Sequence, residues 1–140
     1  MSKVAVVYWS ATGNTEAMAK AVGAAAESKG AEVTFFGPSD FSSSKLADFD
    51  AVAFGCPAMG AEVLEETEFD PMFTELESSL SGKKIGLFGS YGWGDGQWMR
   101  DWEDRAVAAG ANLVTNGVMA NNAPDDEALE NCADLGRALV

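Results

Sequence analysis

Six consecutive residues, Ser10-Ala11-Thr12-Gly13-Asn14-Thr15, put three hydroxyls and a glycine between the apolar run Val4 to Trp9 and the stretch Glu16 to Val22. That order reads as a buried strand, a tight loop and a helix start. Backbone N–H groups at a helix N-terminus lack intrahelical acceptors, and they bind anions. Ser10, Thr12 and Thr15 add hydroxyl donors, and Gly13 lets the backbone come close or take positive φ. Asn14 tolerates left-handed φ, and Thr15 is placed to cap the helix. The six positions hold no Lys or Arg. This excludes the lysine-bearing triphosphate loop, and the dinucleotide motif Gly-x-Gly-x-x-Gly is absent as well. Two readings remain: a neutral cradle for one terminal phosphate, or an ordinary capped turn rich in Ser and Thr.

Two further stretches could act with it. In Pro57-Ala58-Met59-Gly60, Met59 can present a polarizable side chain to an aromatic ring, and Gly60 permits a peptide orientation that a Cβ would penalise. A methionine filling a core gap beside a turn glycine is the competing reading. In Tyr91-Gly92-Trp93-Gly94, a tryptophan between glycines either anchors the loop or stacks on a flat ligand. Together the three stretches describe a ligand with a phosphate at one end and a flat ring at the other, with Met59 and Trp93 on its faces. A phosphate joined to a flat redox-active ring suggests flavin mononucleotide (FMN).

The elements that must hold these stretches follow from hydrophobic period and turn signals. Strands are expected at Lys3 to Trp9, Glu32 to Phe36, Ala51 to Cys56, Lys84 to Gly89 and Asn112 to Met119, the last without interruption. Helices are expected from Thr15 to Ser28, from Asp70 (the cap) to Leu80, after the loop Ser90 to Gly96, and after Pro124-Asp125-Asp126. A short helix ending at Leu46 is a further candidate. Trp98, Trp102, Ala106 and Ala109 fall at helical spacing and should face the core, as should Ala128, Cys132, Leu135 and Leu139. Strictly alternating strands and helices, with strands apolar throughout, predict a parallel sheet covered on both faces. Ligands bind such sheets at the carboxyl ends of the strands, where the strand order reverses. All three unusual stretches leave strand carboxyl ends.

The chain has 140 residues, which fits one domain spanning 1–140, and 47% of them are hydrophobic, which argues against disorder. Its formal charge of −13 repels nucleic acid and anionic membranes and steers toward basic partners. It has no histidine, which removes Ser-His-Asp and Cys-His catalysis and His-ligated metal sites. Cys56 and Cys132 read as small buried hydrophobes of a reducing compartment. No apolar run approaches the roughly 20 residues of a membrane span, and the N-terminal run is too short for a signal sequence. The expectation is a cytoplasmic monomer.

Three motifs carry a resemblance that extends over essentially the whole chain. They are Val7-Tyr8-Trp9-Ser10-Ala11-Thr12-Gly13-Asn14-Thr15-Glu16, Gly55-Cys56-Pro57-Ala58-Met59-Gly60 and Gly89-Ser90-Tyr91-Gly92-Trp93-Gly94. With these the chain resembles the short-chain flavodoxins of anaerobic bacteria. The resemblance implies an α/β fold, a flavodoxin-like doubly wound five-stranded parallel sheet of strand order 2-1-3-4-5 with helices on both faces. It also implies FMN bound by Ser10 to Thr15 at the phosphate, by Met59 on the inner ring face and by Trp93 on the outer. Pro57 and Ala58 join that site. Gly60 matches a position whose peptide turns over on reduction, Glu62 an acid near ring N3, and Ser90, Tyr91 and Gly92 backbone contacts to the pyrimidine edge. Asn121 and Asn122 come near the ribityl chain by the same resemblance but are left out of the candidate site. Pro57 stands where some relatives carry a hydroxyl, and Ala11 where many carry Gly.

The implied function is low-potential one-electron transfer, without substrate turnover, between semiquinone and hydroquinone. Basic redox proteins, such as ferredoxin/flavodoxin reductases and acceptor enzymes, would dock on the acidic surface. One additional charge pair at about 10 Å and an effective dielectric of about 20 costs ~1.7 kcal/mol, or ~70 mV for one electron. The acids Glu62, Glu65, Glu66, Glu68 and Asp70 read as a solvated loop, as a docking ring, or as both at once. The alternative is an FMN-dependent NAD(P)H:quinone reductase on the same fold, but Trp93 and Met59 would block its second substrate. A receiver domain would need an Asp where Cys56-Pro57 stands. A flavin domain of a fused reductase would need a linker, and no linker is evident.

Overall fold

A computed structural model describes residues 2–11, 13–60, 62–92 and 94–140. Among the described residues, six strands and five helices follow in order: β1 (Lys3–Tyr8), α1 (Asn14–Ser28), β2 (Glu32–Phe36), α2 (Ser43–Leu46), β3 (Ala51–Gly55), α3 (Phe69–Leu76), β4 (Lys84–Tyr91), α4 (Gln97–Ala108), β5 (Asn112–Leu113), β6 (Val118–Asn121) and α5 (Asp126–Ala138). All strand pairs are parallel, in the order β2-β1-β3-β4-β5, with β6 also paired to β4. The predicted strand order and doubly wound architecture are therefore present.

Alternation along the central strands makes two cores. Val4, Val6, Ala51 and Ala53 pack with Met18 and Val22 of α1 and Cys132 and Leu135 of α5. Ala5, Val7, Val52, Phe54, Ile85 and Leu87 pack with Phe73 and Leu76 of α3 and with Trp98 and Trp102 of α4. The two tryptophans are each 1% exposed, as their helical spacing required. At Gly136 an added Cβ would stand 2.2 Å from the Val22 carbonyl oxygen, so α5 seats directly on the backbone of α1.

Five elements differ from expectation in their bounds, three of them for a tertiary reason. The expected strand Asn112 to Met119 is divided into β5 and β6. Between them Gly117 N–H donates to Glu103 Oε2 of α4 at 2.7 Å, so a side chain takes the place of a sheet neighbour. β4 runs two residues past Gly89, because Ser90 and Tyr91 pair with Ala120 and Asn121 of β6. The first and third strands each end one residue early, at Tyr8 and Gly55, although Trp9 N–H still donates to Gly55 at 3.0 Å. Finally, α3 begins at Phe69 and passes into a 3₁₀ turn, Glu77–Ser79. Asp70 is not its cap. That work is done by Glu65, as described below.

Candidate functional site

β1 and β3 lie side by side, while their continuations pass to opposite faces of the sheet. The strand order reverses there, and a cleft opens at the carboxyl ends. The loop after β1 contributes Trp9, Ser10 and Ala11 to its wall, and the first turn of α1 contributes Asn14 and Thr15. The loop after β3 contributes Pro57, Ala58 and Met59, and the end of β4 contributes Ser90, Tyr91 and Gly92. Asn122, just after β6, closes it. The cleft encloses about 220 Å³. That lies below the ~300–1,000 Å³ usual for small-molecule pockets, so a longer ligand would extend over the rim.

The β1 loop presents donors. Ser10 Oγ accepts from Gly13 N–H at 3.1 Å and from Glu16 N–H at 3.3 Å, so one N–H just before α1 and one in its first turn converge on one oxygen. Gly13 has φ +93°, the left-handed region, and this aims the peptide into the turn. The positive end of the α1 dipole adds to these donors. No Lys or Arg is among the described residues lining the cleft. This donor set, neutral and rich in N–H and O–H, fits a terminal phosphate. Thr15 differs from its expected capping role. It is 1% exposed, and its hydroxyl lies 3.2 Å from Ser90 Oγ across the floor of the cleft.

The β3 loop is a tight hairpin. Met59 and Val63 form an isolated antiparallel bridge through N–H···O bonds of 2.8 and 3.0 Å. Gly60 turns the chain with φ +48°, and Glu62 also has positive φ, +56°. The loop is tied from below. Ala58 N–H donates to the Ser90 carbonyl at 3.0 Å, and the Trp98 indole N–H donates to the Cys56 carbonyl at 3.2 Å. Glu65 N–H reaches Cys56 Sγ at 3.3 Å. The Cys56 thiol is pushed up to about 12 by burial, so it packs as an uncharged group.

Three acids of the 62–70 cluster have internal work. The Glu65 carboxylate is 5% exposed and accepts from Thr67, Glu68 and Phe69 N–H at 2.8, 2.8 and 2.9 Å, and from the Thr67 hydroxyl. Burial raises its pKa, but the hydrogen bonds from the Thr67 hydroxyl and these N–H groups outweigh it and hold the pKa at about 2. Glu65 is therefore the cap of α3 and no member of a docking ring. Asp70 pairs with Arg105 at 3.0 Å. Glu62 Oε1 accepts from Gly96 and Gln97 N–H, each at 3.2 Å, at the start of α4. Glu66 and Glu68 are exposed, with Glu68 accepting from the Trp9 indole at 3.0 Å.

Of the sequence-derived site residues, Ser10, Ala11, Asn14, Thr15, Pro57, Ala58, Met59, Ser90, Tyr91 and Gly92 meet at the cleft. Gly13, Gly60 and Glu62 shape its loops without lining it. Thr12 and Trp93 lie outside the described residues. Trp9 and Asn122 line the cleft outside the candidate set, although the resemblance already brought Asn122, with Asn121, near the ligand. Trp9 ends an apolar run and so reads as strand, but a large aromatic directly before a hydroxyl-rich loop was a usable signal. Asn122 has φ +59° and donates its N–H to the Tyr91 carbonyl at 2.7 Å, which is visible only once β6 pairs with β4.

The family model described as flavodoxin matches residues 6–136. The flavodoxin of Clostridium beijerinckii is 45% identical over 135 residues, spanning 96% of this chain and 97% of that protein. The flavodoxin of Megasphaera elsdenii is 45% identical over 140 residues, spanning 98% of each. A solution structure of the two-electron reduced Megasphaera elsdenii protein superposes with a TM-score of 0.90, covering 97% of both chains. A flavodoxin from the domain Archaea, 29% identical, superposes with a TM-score of 0.85 over 98% of this chain and 95% of that one. With this match over nearly its whole length and a donor-lined cleft at its strand-order reversal, the chain belongs to the flavodoxin family.

Proposed function

We propose that this chain carries electrons one at a time on non-covalently bound FMN, cycling between semiquinone and hydroquinone, as a cytoplasmic monomer that docks basic redox proteins. FMN, the cofactor of the family, supplies the redox chemistry, and flavodoxins turn over no substrate of their own. The observation that carries the reading is the cleft itself. A donor loop with no Lys or Arg among its described lining residues forms one wall, beside the Met59 hairpin and the end of β4.

Each residue has a task in this reading. The N–H groups of the first turn of α1, with Ser10, Asn14 and Thr15, hold the phosphate. Thr12 and Trp93 take the phosphate and outer-ring roles that the family motifs give them. Met59 covers the inner ring face. Gly60, already at positive φ, provides a peptide that can turn over as the ring gains a proton. Glu62 serves the ring N3 edge, and to do so it shares or leaves the start of α4. The absence of Lys or Arg among the described lining residues, together with the net charge of −13, opposes the negative charge that the second electron adds and lowers the second potential. The docking surface must rest on exposed carboxylates such as Glu66 and Glu68, since Glu65 is buried.

An anaerobic reductive titration of the FMN-loaded chain, followed by visible absorbance, tests this function. A transient long-wavelength band that bleaches only at low potential is expected. Direct two-electron bleaching without that band, or rapid bleaching by NADH alone, would instead support a quinone reductase.

A further inference from the structure

Thr15 and Ser90 form a buried hydroxyl pair across the floor of the cleft. They lie on different elements, Thr15 in the first turn of α1 and Ser90 near the end of β4, and they are 1% and 6% exposed. Their hydroxyl oxygens are 3.2 Å apart, and Ser90 N–H also points at Thr15 Oγ1, at 3.4 Å. Either hydroxyl can donate across the pair, and the choice has a chemical consequence. A threonine hydroxyl has two acceptor sites and one proton. If Ser90 donates both its O–H and its N–H, the acceptor sites of Thr15 Oγ1 are filled and its proton is directed away from Ser90. Both residues line the cleft, so a proton turned away from Ser90 can face the space beside the α1 donors. If Thr15 donates to Ser90 instead, the free proton is that of Ser90, and the donor shifts from the start of α1 to the end of β4.

We propose that the Ser90 hydroxyl is a positioning residue for phosphate recognition, orienting the Thr15 hydroxyl as a donor without touching the phosphate itself. This rests on the FMN reading above. An anion selects the arrangement in which donors face it, and this loop has no cation to do that work. The same link joins the phosphate end of the cleft to the strand end expected at the pyrimidine edge. Ser90 also presents its carbonyl to Ala58 N–H at 3.0 Å, so one residue braces both neighbouring loops.

The test compares FMN with riboflavin, which has the same ring and no phosphate. The full chain, stripped of flavin, is titrated with each and followed by flavin fluorescence. Ser90→Ala should weaken FMN binding about tenfold, the scale of one hydrogen bond to a charged group, and leave riboflavin binding within about twofold. Thr15→Val should do the same, and the double variant should lose no more than Thr15→Val alone. Thr15→Ser, which keeps the hydroxyl, should restore most of the FMN preference. Equal loss for both flavins would assign Ser90 a merely structural part and overturn the proposal, as would additive losses in the double variant. Were the unaltered chain to bind both flavins equally, phosphate recognition itself would fail, and this proposal with it. Were it to bind neither, the FMN reading would fail as well.

Discussion

Replacing Glu65 by Gln should destabilise the fold by an amount that depends on pH in a defined way. The carboxylate accepts three backbone N–H bonds of 2.8–2.9 Å where α3 begins. Those bonds, with the Thr67 hydroxyl, lower its pKa from 4.5 to about 2 against the opposing effect of burial. A drop of that size corresponds to about 3 kcal/mol of stability for the ionised form. Because the folded pKa is depressed, this stabilisation is fully present above the unfolded value of 4.5 and disappears as pH falls through about 2. At pH 3 roughly half should remain, about 1.5 kcal/mol. Gln cannot ionise and offers its N–H₂ toward donors, so the variant lacks the whole contribution. Urea unfolding of both proteins at pH 7 and pH 3, on either side of the sequence pI of about 4.1, measures the difference directly. A gap that stays constant between the two pH values would refute the cap argument. So would a gap under about 1 kcal/mol at pH 7, since a single net hydrogen bond already accounts for that much.

Three further outcomes follow from the same geometry. Gly60 has φ +48° and open space where a Cβ would stand, so Gly60→Val strains the backbone without a clash. The first reduction potential should fall by roughly 40–90 mV, the equivalent of about 1–2 kcal/mol, as read by potentiometric titration. An unchanged semiquinone yield would remove the peptide-turning role. Cys56 and Cys132 are fully buried, and their thiols are both pushed up to about 12 by burial. Neither should react with a thiol reagent at pH 8 until urea unfolds the chain, whereupon both should. If docking is electrostatic, electron transfer to a basic partner should slow steeply with salt. Glu66→Gln should slow it at low ionic strength and make little difference near 0.5 M, where surface charges are screened to about 4–5 Å.

Much of this protein was legible from local pattern. Buried parallel strands are apolar throughout, and amphipathic helices repeat at 3.6 residues, so β1 to β4 and the four longer helices lay within a residue or a few of expectation. Trp98 and Trp102 declared their core face by spacing alone. The hydroxyl-rich loop, the Met59 hairpin and the Tyr91 stretch could be assigned to strand carboxyl ends because each directly follows an apolar run. Those signals depend on neighbours in the chain, and neighbours in the chain are what a sequence displays.

What escaped was decided by partners distant in sequence. The division of the last strand turns on Glu103 reaching Gly117, fourteen residues away. The extension of β4 to Tyr91 requires β6, and the place of Asn122 in the cleft requires that same pairing. The acids from Glu62 to Asp70 look alike on paper. In the fold one caps α3 from inside, one holds the start of α4, one pairs with Arg105, and Glu66 stays at the surface. The sequence determined which groups are available and how often they recur along each element. Only the tertiary structure decided which carboxylate is buried and which hydroxyl faces which, because a hydrogen bond depends on a few tenths of an ångström and on angle, and chain order specifies neither.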